Sequence, residues 1–489
     1  MSSIDKVKNK YYRSEQNFFD FLLAKYDISF YKVICFIIIK LLYDFLAIAN
    51  LEDVWYKSVY GGYNINFNLT KAVLAYILFF TFTLMFIRLK FDSVFTNTIL
   101  TSLYSIYFIP MNSAFYLNDQ PLSFLVSTHI YFALICFFVF VLSKIQMKKT
   151  STLLLNENNQ IYLELHKHNT LKIIQMISFV ICVLLIVYKI SYNGISFSLS
   201  IEGSDVYESR DLYLERTSQY RGSLIGYVTY FLKLFAVPAT IFLLFTGLKY
   251  KKAHMIIVSI LSAISNYSLN SNKGTLFFIF IVFVVFFLER KSIIKYASIL
   301  IPLALCFALL FSIFSNSLYF IIIRRTMYVP AWLDTMYFEF FTDNNLILWT
   351  QDAVPFKWFL PDIHTKPYLQ MISDEYFFGE MPSPNTGLFS EAFLNFGYLG
   401  ILFYPILLSL LFKLFSVAYD SFGHGISFLF AIKIAISLTN VSMFRIDFIL
   451  ENILFALIII VINKISKNTL STCYGVKNMN RINRLKGYY

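Results

Sequence analysis

The chain has 489 residues, 58% hydrophobic and only 14% charged, with a mean hydropathy of +0.63 and a formal net charge of +12. Apolar runs of about 20 residues recur along it, which excludes an ordinary soluble domain and predicts an all-α, polytopic transmembrane helix bundle. Five scattered cysteines, Cys35, Cys136, Cys182, Cys306 and Cys473, show neither disulfide nor metal-ligand spacing. The absence of HExxH, GxSxG, Walker-type and paired-cysteine motifs argues against protease, ATP-driven pump and thiol chemistry.

Residues 1–28 are polar and no small-x-small cleavage site follows the first span, so they read as a retained cytoplasmic N-terminal segment. About twelve spans follow, at roughly 29–50, 70–88, 94–113, 123–143, 171–192, 223–247, 254–270, 274–289, 296–316, 386–417, 425–443 and 446–463. The first nine occupy 29–316, with an arginine-bearing loop at 193–222. Residues 317–385 form one large loop, helices ten to twelve fill 386–463, and 464–489 make a basic tail.

Lysine and arginine in short loops set the orientation. With the N-terminus inside, Arg88/Lys90, Lys144/Lys148/Lys149, Lys249/Lys251/Lys252, Arg290/Lys291/Lys295 and the C-terminal tail all fall on the cytoplasmic side. The positive charge is then a signal of topology and of attraction to anionic lipid, and nucleic acid is not needed to explain it. The loops at 193–222 and 317–385 become extracytoplasmic. Six of the 11 arginines nevertheless lie outside: Arg210, Arg216, Arg221, Arg324, Arg325 and Arg445. Guanidinium pairs with phosphate oxygens in a fixed fork, so these arginines are candidates for holding a diphosphate. A surface helix anchored to lipid head groups would also account for Arg210, Arg216 and Arg221.

The large loop carries most of the remaining chemistry. It holds Asp352, Asp362 and His364 as candidate general bases, with Trp349, Trp358 and Phe359 as faces on which a sugar ring could stack. The turn at 271–274 sets Lys273 beside Gly274 at a helix N-terminus, a small seat for phosphate or an ordinary turn with a snorkelling lysine. Gly387, Glu391 and Asn395 recur every four residues, which puts them on one face of a helix descending from the loop, with Glu391 about 8 Å below its rim. A carboxylate at that depth marks a functional site or a structural pair with Arg445, Arg324 or Arg325. Lys40 and Asp44, one turn apart, read as a neutralising pair, while Lys233, Lys433 and Glu451 need partners on other helices.

In this arrangement the chain resembles the Wzy-type O-antigen or capsule repeat-unit polymerases and, more distantly, the O-antigen ligases. The resemblance rests on the span count, on the SNKG turn at 271–274 and on NTGLFSEAFLNFGYLG at 385–400. In SNKG, Lys273 stands where the family usually has arginine. The resemblance implies a GT-C-like fold and metal-independent glycosyl transfer without a cofactor at the extracytoplasmic face of a bacterial plasma membrane. Its substrates would be undecaprenyl-diphosphate-linked oligosaccharides as donor and acceptor, with a chain-length regulator and a flippase as partner proteins and no nucleic acid. Arg210, Arg216, Arg221, Lys273, Arg324, Arg325 and Arg445 would hold the diphosphate. Glu391, His364, Asp362 and Asp352 would compete for the role of base, and Trp349, Trp358, Asn385 and Asn395 would meet sugar. A ligase or a lipid-linked oligosaccharide transporter shares much of this pattern.

Overall fold

The computed structural model describes residues 28–50, 66–145, 157–193, 224–270, 273–291, 293–315, 319–351, 353–354, 356–379 and 384–466. Its regular structure is entirely helical among these residues. The main helices are α1 (Ile28–Asn50), α2 (Leu69–Arg88), α3 (Val94–Leu103), α4 (Ile109–Leu117), α5 (Leu122–Ile145), α6 (Glu157–Asn193), α7 (Leu224–Lys249), α8 (Ala253–Asn270), α9 (Lys273–Arg290) and α10 (Ala297–Phe314). They continue with α11 (Val329–Asp343), α12 (Tyr368–Phe377), α13 (Leu388–Tyr419), α14 (His424–Leu438) and α15 (Ile446–Ser466).

Among the described residues, seven stretches are long and apolar enough to cross a bilayer: Leu69–Arg88, Leu122–Ile145, Asn169–Ser191, Gly226–Lys249, Ala297–Phe314, Leu388–Phe422 and Ile446–Ser466. Helices also stand at the other five expected positions, as α1, the α3–α4 pair, α8, α9 and α14. A membrane-embedded chain must satisfy its backbone polar groups internally, and helices do this without a partner strand.

Helices α3 and α4 form the centre. A π-helical stretch, Tyr104–Phe108, joins them, and every residue from Phe108 to Leu117 is buried. The extra residue in a π turn shifts the faces that follow, and here it sets Tyr107 toward α11 and α13. Around this centre α5 packs along α13, α10 along α1, and α14 against α3, while α6, α7 and α8 pack against one another.

Two of the buried lysines pair with acids. Lys40 lies 3.3 Å from Asp44 and donates to Ser113 and Tyr116, and Asp44 accepts from Ser113 and Tyr76. Lys433 reaches across to Glu451 at 2.8 Å and donates to Asn452 at 2.6 Å. Both arrangements offset the cost of charge in a low-dielectric interior.

The segments before and around Glu391 differ from the simple loop and straight helix that the sequence predicts. The stretch after α10 is largely helical: a π segment, Tyr319–Tyr328, leads into α11, whose Trp332, Asp334 and Tyr337 are buried in the core. Helix α13, in turn, does not descend straight from Leu388. It breaks at Gly397, where φ is 56° and ψ −135°. At Gly400 the fold back is so close that an added Cβ would lie 1.9 Å from the Ala392 carbonyl oxygen. Gly397 supplies the left-handed backbone and Gly400 the close approach, which only glycine allows. Gly387, Glu391 and Asn395 therefore belong to a short buried segment, and the long helix begins after Gly397. The break comes after Glu391, so the rise counted to Glu391 lies along this first segment and is not depth along the spanning helix.

Candidate functional site at the Glu391 turn

Glu391 is 3% exposed. Its Oε1 accepts from the Ser442 hydroxyl at 2.5 Å and its Oε2 from the Met443 amide at 2.8 Å. Ser442 and Met443 belong to the turn between α14 and α15, so one carboxylate on the first segment of α13 fastens that turn. Charge-assisted hydrogen bonds of this kind are the stronger ones in a protein interior.

Asn395, one turn beyond Glu391, holds the other side. Its Nδ2 donates to the Glu391 carbonyl at 2.9 Å and to the Tyr404 hydroxyl at 3.1 Å, and its Oδ1 accepts from the Trp349 amide at 2.8 Å. Trp349 Nε1 also donates to Tyr404, at 2.5 Å. Leu348 and Trp349 both take positive φ, 53° and 63°, an unfavourable backbone for large side chains. These hydrogen bonds and that from the Ile347 amide to the Leu394 carbonyl at 2.9 Å hold the strained turn in place.

Glu391, Asn395, Ser442 and Thr386, with Ile347 and Tyr368, line a cavity of about 10 Å³. That is room for one water and not for a sugar ring. Arg445 caps α15 three residues after Ser442, and its Nε lies 3.0 Å from Asp447. The Tyr230 hydroxyl of α7 donates to the same Asp447, which links a third helix to the turn.

The other residues singled out from sequence lie at varied distances from this node. Asp362 accepts from the Gln351 side chain and the His364 amide, both at 3.1 Å, while the His364 ring reaches the Leu346 carbonyl at 3.3 Å, next to cavity-lining Ile347. Asn385 donates to Asn440 at 3.3 Å on the exposed rim. The half-buried Trp349 ring is stacked on Phe356 at 4.3 Å, which covers one of its faces, and it is flanked by Phe396, Tyr404 and Phe444. Trp358 stands exposed on a loop tip. Arg324 is half-buried and Arg325 exposed in the π segment before α11. Lys273 opens α9. Arg210, Arg216, Arg221 and Asp352 lie outside the described residues.

A second acidic group, Asp334 on α11, supports the same segment. It accepts from the Ser390 amide at 3.1 Å and from the Tyr107 hydroxyl, and Tyr107 itself accepts from the Phe389 amide at 2.9 Å. The free amides of the first turn of α13 are thus met by one carboxylate and one phenol. Burial pushes the Asp334 carboxyl up to about 7, against the downward pull of its hydrogen bonds from Ser390 and Tyr107. Gly387 leaves the space: a Cβ there would lie 2.9 Å from the Tyr107 oxygen and 3.1 Å from Asp334 Oδ1. Sequence reasoning passed over Asp334 and Ser442. The signal for Asp334 was present, a lone acid in the apolar run PAWLDTMYF, whereas Ser442 becomes visible only through its partner.

No protein-family model matches the chain, and comparison with curated proteins and with solved structures finds no match either.

Proposed function

We propose that the chain is a multi-pass glycosyltransferase of the plasma membrane that joins undecaprenyl-diphosphate-linked oligosaccharide repeat units into an O-antigen or capsular polysaccharide. In this reading it has about twelve spans, cytoplasmic termini and a GT-C-like bundle, with the reaction at the extracytoplasmic face. The bond between the donor's anomeric carbon and its diphosphate oxygen breaks. A new bond forms from that carbon to an acceptor hydroxyl, whose proton passes to a base, and undecaprenyl diphosphate leaves.

The observation that carries the proposal is the clasp between Glu391 and the turn that bears Arg445. Both carboxylate oxygens of Glu391 already accept hydrogen bonds, and the cavity beside them admits only water. Glu391 is therefore assigned as a positioning residue, which fixes the turn so that Arg445 stands ready for an anionic leaving group. Preorganised cations of this sort stabilise charge that develops on a departing diphosphate. Arg324 and Arg325, and in the sequence Arg210, Arg216, Arg221 and Lys273, are assigned to the same task. The base is assigned to the loop beside the node, where His364 and Asp362 are neighbours.

The test is chain lengthening by the purified protein in liposomes, with synthetic lipid-diphosphate repeat units, EDTA and no nucleotide. A ladder of longer lipid-linked glycans supports a polymerase. Substrate moved across the bilayer at unchanged length would replace the proposal with a transporter. Transfer only to a different acceptor would replace it with a ligase.

A further inference from the structure

We propose that the loop tip Trp358–Ile363 is a membrane anchor, inserted into the head-group region of the bilayer. Trp358, Phe359, Leu360 and Ile363 are between 41% and 80% exposed, an unusual concentration of large apolar side chains on one short loop. The tip is a defined shape: the Phe359 and Leu360 amides both bond to the Phe356 carbonyl, at 2.9 and 3.0 Å.

Its root fixes its level on the protein. Phe356 stacks on Trp349, and Trp349 is tied to Tyr404 and lies 6.3 Å from Phe403, ring to ring. On α13 the segment before Gly397 is almost wholly buried, whereas from Tyr398 onward Leu399, Leu402 and Phe403 face outward. In a spanning helix such a stripe faces lipid. Tyr398 to Tyr419 is about 33 Å of helix at 1.5 Å per residue, which matches a hydrocarbon core and puts Tyr398 at one edge of it. The loop tip therefore continues the lipid-facing surface at the membrane boundary. Tryptophan and phenylalanine suit that boundary, and Lys357 beside them suits its anionic head groups. This inference requires only the bilayer and does not depend on the glycosyltransferase reading.

The test uses the full chain in phosphatidylcholine–phosphatidylglycerol liposomes. A nitroxide is placed at Phe359→Cys, and independently at Trp358→Cys, after the five native cysteines are replaced. Reference labels at Leu402→Cys and Lys366→Cys mark lipid and water. Labels on the tip are expected to collide more often with oxygen than with a water-soluble nickel chelate, between the two references and nearer Leu402. Chelate access equal to that at Lys366 would overturn the proposal. Shielding from both reagents would also overturn it, because the tip would then be covered by protein.

Discussion

The Ser442 hydroxyl donates to Glu391 at 2.5 Å, and that contact couples a buried acid on α13 to the turn that opens α15. Removing one donor from a buried carboxylate costs about 1.5–3 kcal/mol, equivalent to roughly tenfold to a hundredfold in an equilibrium or rate. Ser442→Ala is therefore expected to slow linkage formation at least tenfold in the lipid-linked ladder assay. Glu391→Ala combined with Ser442→Ala should cost clearly less than the two separate losses added together, since both break the same clasp. Residual activity of Glu391→Gln should keep the wild-type acidic limb in its pH–rate profile. Disappearance of that limb would make Glu391 the base.

The bend in α13 predicts an order among glycine substitutions. Gly400→Ala drives a methyl group into the Ala392 carbonyl, a backbone atom that cannot swing aside. Gly387→Ala crowds the Tyr107 and Asp334 oxygens. Overpacking of this kind costs about 1–3 kcal/mol, and Gly400→Ala should exceed that range. Thermal unfolding in detergent should rank wild type above Gly387→Ala and Gly387→Ala above Gly400→Ala. Equal melting for Gly400→Ala and wild type would contradict the bend.

The raised pKa of Asp334 makes stability depend on pH. An unfolded aspartate titrates near 3.8 and this one folds with a value of about 7, so between those values the folded protein holds a proton that the unfolded chain has lost. Stability contributed by this group is therefore full below about pH 4, declines as pH rises toward 7, and is level above it. Asp334→Asn should flatten that part of the curve in detergent melts at pH 4.5, 6 and 7.5. An unchanged slope in the variant would assign the dependence to another group.

Much of the helical framework was legible because apolar runs of membrane length are strong signals, and the helices fall where those runs do. The GYLG stretch was also legible as a motif. What the motif does, a left-handed turn at Gly397 and a close approach at Gly400, depends on Ala392 folding back and could not be read from spacing. The same holds for the partners of Glu391. Its position as an acid in an apolar stretch drew attention to it, yet Ser442 lies 51 residues away. Asp334 and Tyr107, 227 residues apart, each look like an isolated polar residue until the π turn brings them together. Trp349 is legible by residue type as a face for sugar, whereas its stacking on Phe356, which covers one side of the ring, is not.

The pair formed by Lys433 and Glu451 gives a test independent of function. Lys433→Met leaves the Glu451 carboxylate without its 2.8 Å ammonium partner. Breaking such a pair from one side costs about 3 kcal/mol, while replacing both charges by apolar groups of similar size is often close to neutral. Melting of Lys433→Met should fall by several degrees, and Lys433→Met with Glu451→Leu should recover most of the loss. A double variant as unstable as the single one would mean that the pair does not act as a unit.

In the proposed reaction each new glycosidic bond is made at the expense of a lipid diphosphate. The most direct measurement counts undecaprenyl diphosphate released against linkages formed by the purified protein in liposomes, with no nucleotide present. One molecule released per linkage is predicted. Linkages without release, or full-length substrate recovered unchanged on the opposite leaflet, would contradict it.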